Sequence, residues 1–85
     1  MDIAALRKEL GLSQIEFARL VGLKSKGHVS DLERSGSTSV RVAIEIERLS
    51  SGRVRAAALN NDVALVESFL RDAANDNHPQ VEARA

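Results

Sequence analysis

Few side chains in this 85-residue chain are of a type that does covalent chemistry. There are two histidines, His28 and His78, and no cysteine. Nucleophilic catalysis needs a nucleophile with a base beside it, and a metal needs ligands at recurring spacings; neither pattern is present. A glycine-rich phosphate loop is also missing, so neither an enzyme nor a bound cofactor is expected. Without cysteine, disulfides and thiolate metal sites are excluded. What remains is charge and its placement. The formal net charge is zero, yet residues 19–55 carry eight basic and four acidic side chains, while residues 56–85 carry two basic and five acidic. A local excess of cations attracts phosphate whatever the total. The plainer alternative is a mixed, solvated surface.

These groups need elements to hold them. Asp2 can cap a first helix to about Leu10 that carries Ile3, Leu6 and Leu10 on one stripe, with Gly11 as its stop. Ser13 and Glu16 make a capping box for a second helix, with Phe17, Ala18 and Val21 inward and Gly22 at its end. Ile15 and Leu20 fall off that stripe and are expected at the surface or against a neighbouring helix. Ser25 can cap a third helix to about Arg34, with Val29 and Leu32 inward.

The stretch from Val40 to Leu49 is ambiguous. Val40, Val42, Ile44 and Ile46 alternate like a strand, whereas Val42, Ala43, Ile46 and Leu49 make a helical stripe. Length, helical neighbours, the caps Thr38 and Ser39 and the stop Gly52 favour a helix. Val54 is expected in an extended turn, and Arg55 to Leu59 as a helical turn. A last helix, capped by Asn61 or Asp62, should run to about Ala74. It carries Val63, Val66, Leu70 and Ala73 on one side and Leu65 and Phe69 on another, one set for the domain and one for a second subunit. Residues 75–85 are expected to be a disordered tail, with His78 inert in it. The fold class is therefore all-α, a compact domain of five to six helices over residues 1–74.

Leu12 to Gly36 is the informative segment. Ala18 is small where two helices must approach, Gly22 lets the chain reverse, Leu23 plugs the angle, and Val29 and Leu32 anchor the next helix. This is a helix-turn-helix arrangement. The run Leu12-Ser13-Gln14, Phe17-Ala18, Val21-Gly22-Leu23, followed by His28-Val29-Ser30-Asp31-Leu32-Glu33, resembles the Cro and lambda-repressor superfamily of phage and mobile-element regulators. The resemblance covers Leu6 to about Leu59, since Arg41 to Leu59 is similar to the fourth helix and trailing segment of short Cro-like proteins. One departure stands out: between Gly22 and Val29 the chain holds one residue more than the usual family spacing.

The resemblance implies a DNA-binding domain whose third helix enters the major groove. The family's glutamine falls on Gln14, which would hydrogen-bond a phosphate or support the recognition helix. Ser25, Lys26, Gly27 and His28 would lie at the N-terminus of that helix, where free N–H groups favour phosphate. Lys26 could instead donate to guanine, and His28 to guanine or phosphate. Ser30 and Asp31 lie one turn on, and Asp31 would accept from a cytosine amino group or exclude wrong bases. Lys24, Arg34 and Arg41 would contact phosphates. Against these stand blander readings: Gln14 as an exposed first-turn residue, and Lys24 and Lys26 as solvated turn lysines. Arg53 and Arg55 read as a solvated face. Ser30 and Glu33 have capping-box spacing, but they lie mid-helix.

Two functions fit. The first is a sequence-specific transcriptional regulator, a Cro-like repressor that binds palindromic operator DNA as a homodimer and controls its own or a neighbouring promoter. The second is an antitoxin or antiactivator, a protein-interaction module on the same fold; the acidic C-terminal third favours it, while Lys24, Lys26 and His28 on the exposed helix disfavour it. No small-molecule ligand, signal peptide or membrane span is expected, and the expected location is the cytoplasm. Leu65 and Phe69 have no evident place in so small a domain, so the last helix is expected to contribute to the dimer.

Overall fold

The computed structural model describes residues 2–76. Six helices follow one another, with no strand among the described residues: α1 (Ile3–Glu9), α2 (Gln14–Val21), α3 (Lys26–Ser35), α4 (Val40–Leu49), α5 (Ala56–Leu59) and α6 (Asn61–Asp76). The all-α expectation holds, and the Val40–Leu49 stretch is a helix. Its start is set by Ser39, whose Oγ accepts the Val42 N–H at 3.3 Å. The alternation of Val40, Val42, Ile44 and Ile46 leaves Val40 and Ile44 exposed while Val42, Ala43 and Ile46 are buried. That is the outcome of the 3.6-residue period.

The helix starts follow their caps. Asp2 Oδ1 accepts the Ala5 N–H at 2.7 Å. In the second helix the capping box is complete: Ser13 Oγ accepts the Glu16 N–H, and Glu16 Oε1 accepts the Ser13 N–H at 2.7 Å. That Ser13 N–H also holds the Glu16 carboxyl below its ordinary pKa. Each such cap is worth about 1 kcal/mol.

The core is one cluster beneath α1–α5. Leu6, Phe17, Val21, Val29 and Ile46 are fully enclosed, and Leu12, Leu23, Leu49 and Val63 pack against its edge. Burying a side chain of this size contributes about 1.5–3 kcal/mol. Leu10 departs from expectation. It caps α1 instead of continuing its stripe and is more than a third exposed. The turn beginning at Gly11 draws it away from the core.

The segment from Ser50 to Val54 is held from within. Buried Ser50 accepts the Val54 N–H through Oγ at 2.9 Å, so Val54 enters the core at a bend. Short helix α5 has no side-chain cap of its own; Glu47 of α4 supplies one, accepting the Ala56 N–H at 2.7 Å. This hydrogen bond is the main reason the Glu47 carboxyl titrates below its ordinary value, with Arg55 adding to it.

Two expectations about the last helix are corrected. Its cap is Asn60, not Asn61 or Asp62: Asn60 Oδ1 accepts the N–H groups of Asp62 and Val63, while its Nδ2 donates to Thr38 O at 2.8 Å. Thr38 N–H in turn donates to Leu59 O, so the α3–α4 loop pins the α5–α6 junction. That tie fixes where the chain turns, a fact no local pattern contains. The second correction concerns the two apolar sets of α6. Only Val63 packs on the core; Val66 and Leu70 are left as exposed as Leu65 and Phe69. Beyond its first turns α6 has run past the small domain, and among the described residues nothing covers it. The helix continues to Asp76, two residues past the expected end, and the rest of the expected tail, including His78, lies outside the described residues.

Candidate nucleic-acid interface

The turn between α2 and α3 sets the geometry. Gly22 ends α2 in the left-handed region at φ +87°, and the N–H groups of Gly22 and Leu23 both donate to Ala18 O, the latter at 2.8 Å. A residue with a Cβ is strained at this φ, which is why glycine stands there. Leu23 dips to the core edge, and Ser25 then caps α3, its Oγ accepting the His28 N–H. Lys26, Gly27 and His28 therefore make the first turn of α3.

Helix α3 buries Val29 and Leu32 and turns Lys26, Gly27, His28, Asp31 and Arg34 to solvent. Gly27 is not demanded by the fold. Its φ is not left-handed, and a Cβ there would meet only Ser25 Oγ, at an ordinary 3.5 Å. The Ser25 hydroxyl lies 3.1 Å from His28 Nδ1. Which of the two donates in this contact depends on the tautomer of the ring.

Behind the exposed face lies a polar clamp joining three helices. Arg7 of α1 donates to Glu33 of α3 at 2.6 Å and to Leu12 O at 3.0 Å. Gln14 of α2 donates through Nε2 to Ser30 Oγ at 3.1 Å and to Glu33 Oε1 at 3.2 Å. The Arg7 and Glu33 side chains are only 15% and 14% exposed, so this pair is poorly screened. Of the two roles expected for Gln14, the one visible here is support of α3: its amide N–H groups are directed at Ser30 and Glu33. Ser30 is half-buried in the same cluster rather than on the open face.

The other expected residues group as follows. Lys24, Ser25 and Lys26 line one side of a cleft at the helix-turn-helix corner, with Ile15, Ala18 and Arg19 across it. Asp31 and Arg34 are paired with each other at 2.6 Å on the open face, a solvated pair of small energy. Arg41 stands apart on α4, across a second cleft from Arg19. Arg19 was not singled out from the sequence, although it opens the basic segment. It lines both clefts, the one at the Lys24–Lys26 corner and the one it shares with Arg41, which Glu45 lines as well. Arg53 and Arg55 are spent on ion pairs, the first with Glu9 at 2.6 Å and the second with Glu47 and Glu67.

A family model described as helix-turn-helix matches residues 3–49, more than half of the chain and all of α1 to α4. The chain belongs to the lambda-repressor/Cro-like helix-turn-helix family. Neither a search of curated proteins nor a search of solved structures returned a match. The family is one of DNA-binding transcription regulators and is generally non-enzymatic. Within its pattern α2 and α3 are the helix-turn-helix pair, and α3 occupies the recognition position. No helix among the described residues is long and apolar enough to cross a membrane.

Proposed function

We propose that the chain is a sequence-specific transcriptional repressor that binds a palindromic operator as a homodimer. The observation that carries this reading is the open face of α3, where Lys26, Gly27, His28 and Asp31 stand unobstructed beside the clefts lined by Lys24, Arg19 and Arg41 while the Arg7–Glu33–Gln14 clamp holds the helix from behind. Lys26 and the exposed His28 ring offer donors to guanine edges, and Asp31 offers an acceptor to a cytosine amino group or excludes bases that present only acceptors. Lys24, Arg34 and Arg41 position the domain on phosphates, and so does Arg19. Ser25 sets the start of α3, whose first-turn N–H groups favour phosphate.

One recognition helix covers only a few base pairs. Specific binding therefore calls for two copies on half-sites about 10 base pairs apart. Occupying promoter DNA would exclude polymerase. The response would follow the protein's own concentration, in the cytoplasm, at its own or a neighbouring promoter.

Selection from a pool of random DNA duplexes at physiological salt tests this reading. Enrichment of a two-fold palindrome is expected. Weak, salt-sensitive binding without enrichment would reject it in favour of the antitoxin or antiactivator reading, which the acidic C-terminal third favours.

Gly27 gives a sharper check. In a helix, alanine is more stable than glycine by about 0.5–1 kcal/mol, and the backbone at Gly27 accepts a Cβ. Gly27→Ala is thus expected to raise the melting temperature while weakening operator binding, because the added methyl would hold the backbone away from the groove. Thermal denaturation and a binding titration on one preparation would measure both. A gain in stability with unchanged affinity would remove Gly27 from the interface.

A further inference from the structure

Asp31 is the one carboxylate on the exposed face of α3; the other acidic residue of that helix, Glu33, is turned inward to Arg7 and Gln14. A carboxylate can only accept hydrogen bonds, and the phosphates of a duplex repel it. In the free protein Arg34, one turn along, satisfies it: Arg34 Nη2 donates to Asp31 Oδ1 at 2.6 Å, with the two side chains 75% and 63% exposed. We propose that these two residues are an exchange pair. Asp31 keeps Arg34 in the free protein and on unrelated duplex, and releases it to a phosphate where a cytosine presents its amino group to Asp31 instead. Asp31 is then a specificity-determining residue, and the phosphate contact of Arg34 depends on the base that Asp31 meets. The proposal deepens the regulator reading above and rests on α3 being the recognition helix.

Each partner is committed to the other. Neither Asp31 nor Arg34 has a second ion-pair partner among the described residues, so the charge of Arg34 is spent until Asp31 gives it up. Lys24 and Lys26 carry no such tie and can meet phosphate on any sequence. In water the exchange is easy, because a solvated pair holds its members weakly. Arg34 also lies in the last turn of α3, where the helix dipole favours a cation whether or not Asp31 holds it. Against the groove the balance changes. Water is expelled from Asp31, and a carboxylate left without a donor is penalised. Guanine O6 and N7 and thymine O4 are acceptors, so over these bases Arg34 has to stay. Adenine offers an amino group with the N7 acceptor beside it, which repels the second carboxylate oxygen. Cytosine offers N4–H without an adjoining acceptor, and it alone replaces Arg34 at no such cost. The freed guanidinium then neutralises a phosphate and releases counterions, so it adds to the salt dependence at the operator only.

Binding titrations at several salt concentrations test the proposal, on the selected operator and on an unrelated duplex of the same length. They compare the full chain with its Arg34→Ala, Asp31→Ala and doubly substituted variants. Arg34→Ala alone is expected to lower the slope of log K against log salt by about 0.9 per copy on the operator, and by far less on the unrelated duplex. At 0.15 M salt that contact corresponds to about fivefold in affinity per copy. In the Asp31→Ala background Arg34 is free on every sequence, so removing it should lower both slopes alike. Selection with Asp31→Ala should lose its preference for a cytosine in each half-site. Changing that cytosine to thymine should cancel the operator-specific effect of Arg34→Ala. Far-UV circular dichroism checks that every variant is folded, as expected for a solvated pair on a helix anchored by Val29 and Leu32. Equal loss of slope on both duplexes in Arg34→Ala would make Arg34 an ordinary phosphate contact, and no loss on either would make the pair idle. An operator-specific loss that persists in Asp31→Ala, or on the thymine operator, would remove Asp31 from the exchange. Each of these results overturns the proposal and leaves the regulator reading standing. A pool in which no sequence is enriched would overturn both.

Discussion

Replacing Lys24 and Lys26 together with alanine is expected to weaken binding to duplex DNA about thirtyfold at 0.15 M salt, and to lower the slope of log K against log salt by about two. The reason is counterion release. Each phosphate that a cation neutralises frees condensed ions, and a protein with two fewer such contacts loses their entropy. Both lysines are exposed at the α2–α3 corner, and neither has an ion-pair partner among the described residues. Arg53→Ala is the matched control. Arg53 is engaged with Glu9 on another part of the surface, and its loss should leave the slope unchanged. Titrations at several salt concentrations on the selected operator and on an unrelated duplex separate the two roles open to Lys26. A phosphate contact weakens both duplexes equally. A guanine contact costs about 1–3 kcal/mol on the operator alone. An unchanged slope on both would remove these lysines from the interface.

Glu33→Ala should be the most costly single change in the polar part of the molecule, at about 2–3 kcal/mol. It removes the acceptor of Arg7 at 2.6 Å and one acceptor of Gln14, and it strands a guanidinium that is only 15% exposed. Breaking a fully buried pair costs about 3–5 kcal/mol, and the residual exposure of this one reduces the figure. Glu33→Gln keeps an acceptor oxygen while losing the charge, so it should cost roughly half as much. Urea denaturation measures both. For a chain of this size, marginal in stability, the larger loss is a sizeable fraction of the total. The clamp also makes a functional prediction. With Glu33 gone, α3 keeps its apolar anchors Val29 and Leu32 but loses its tie to α1. Operator affinity should therefore fall even at a temperature where Glu33→Ala is fully folded. Wild-type stability in both variants would show that the pair contributes nothing, as exposed pairs often do.

Much of the domain was legible from local pattern. Ser13 with Glu16, Ser25, Ser39 and Asp2 mark four helix starts, and each of them caps as its spacing implies. Caps are short-range chemistry: an oxygen and an N–H three residues apart either meet or do not. The inward stripes of α2 and α3 were legible for the same reason, since Phe17, Ala18, Val21, Val29 and Leu32 lie at helical spacing and are all buried. The helix-turn-helix pair follows from that spacing together with Gly22, and the family from the resemblance of those motifs and the match over residues 3–49.

Long-range contacts were not written in any window. Glu33 was noted for the family pattern and for its spacing from Ser30, and its partner lies 26 residues away in Arg7. Gln14 was left between phosphate and support, and the fold directs its amide N–H groups to α3. Arg19 was passed over because its place between the Lys24–Lys26 corner and Arg41 exists only once α4 packs beside α2.

The same division explains the last helix. Its apolar residues and its length could be read from residue type and period, which act over a turn or two. Its cap at Asn60 is shared with Thr38, 22 residues earlier, and its face remains open because the core beneath is too small to reach it. Periodicity shows that a face is apolar; what covers it is settled by how far the rest of the chain extends.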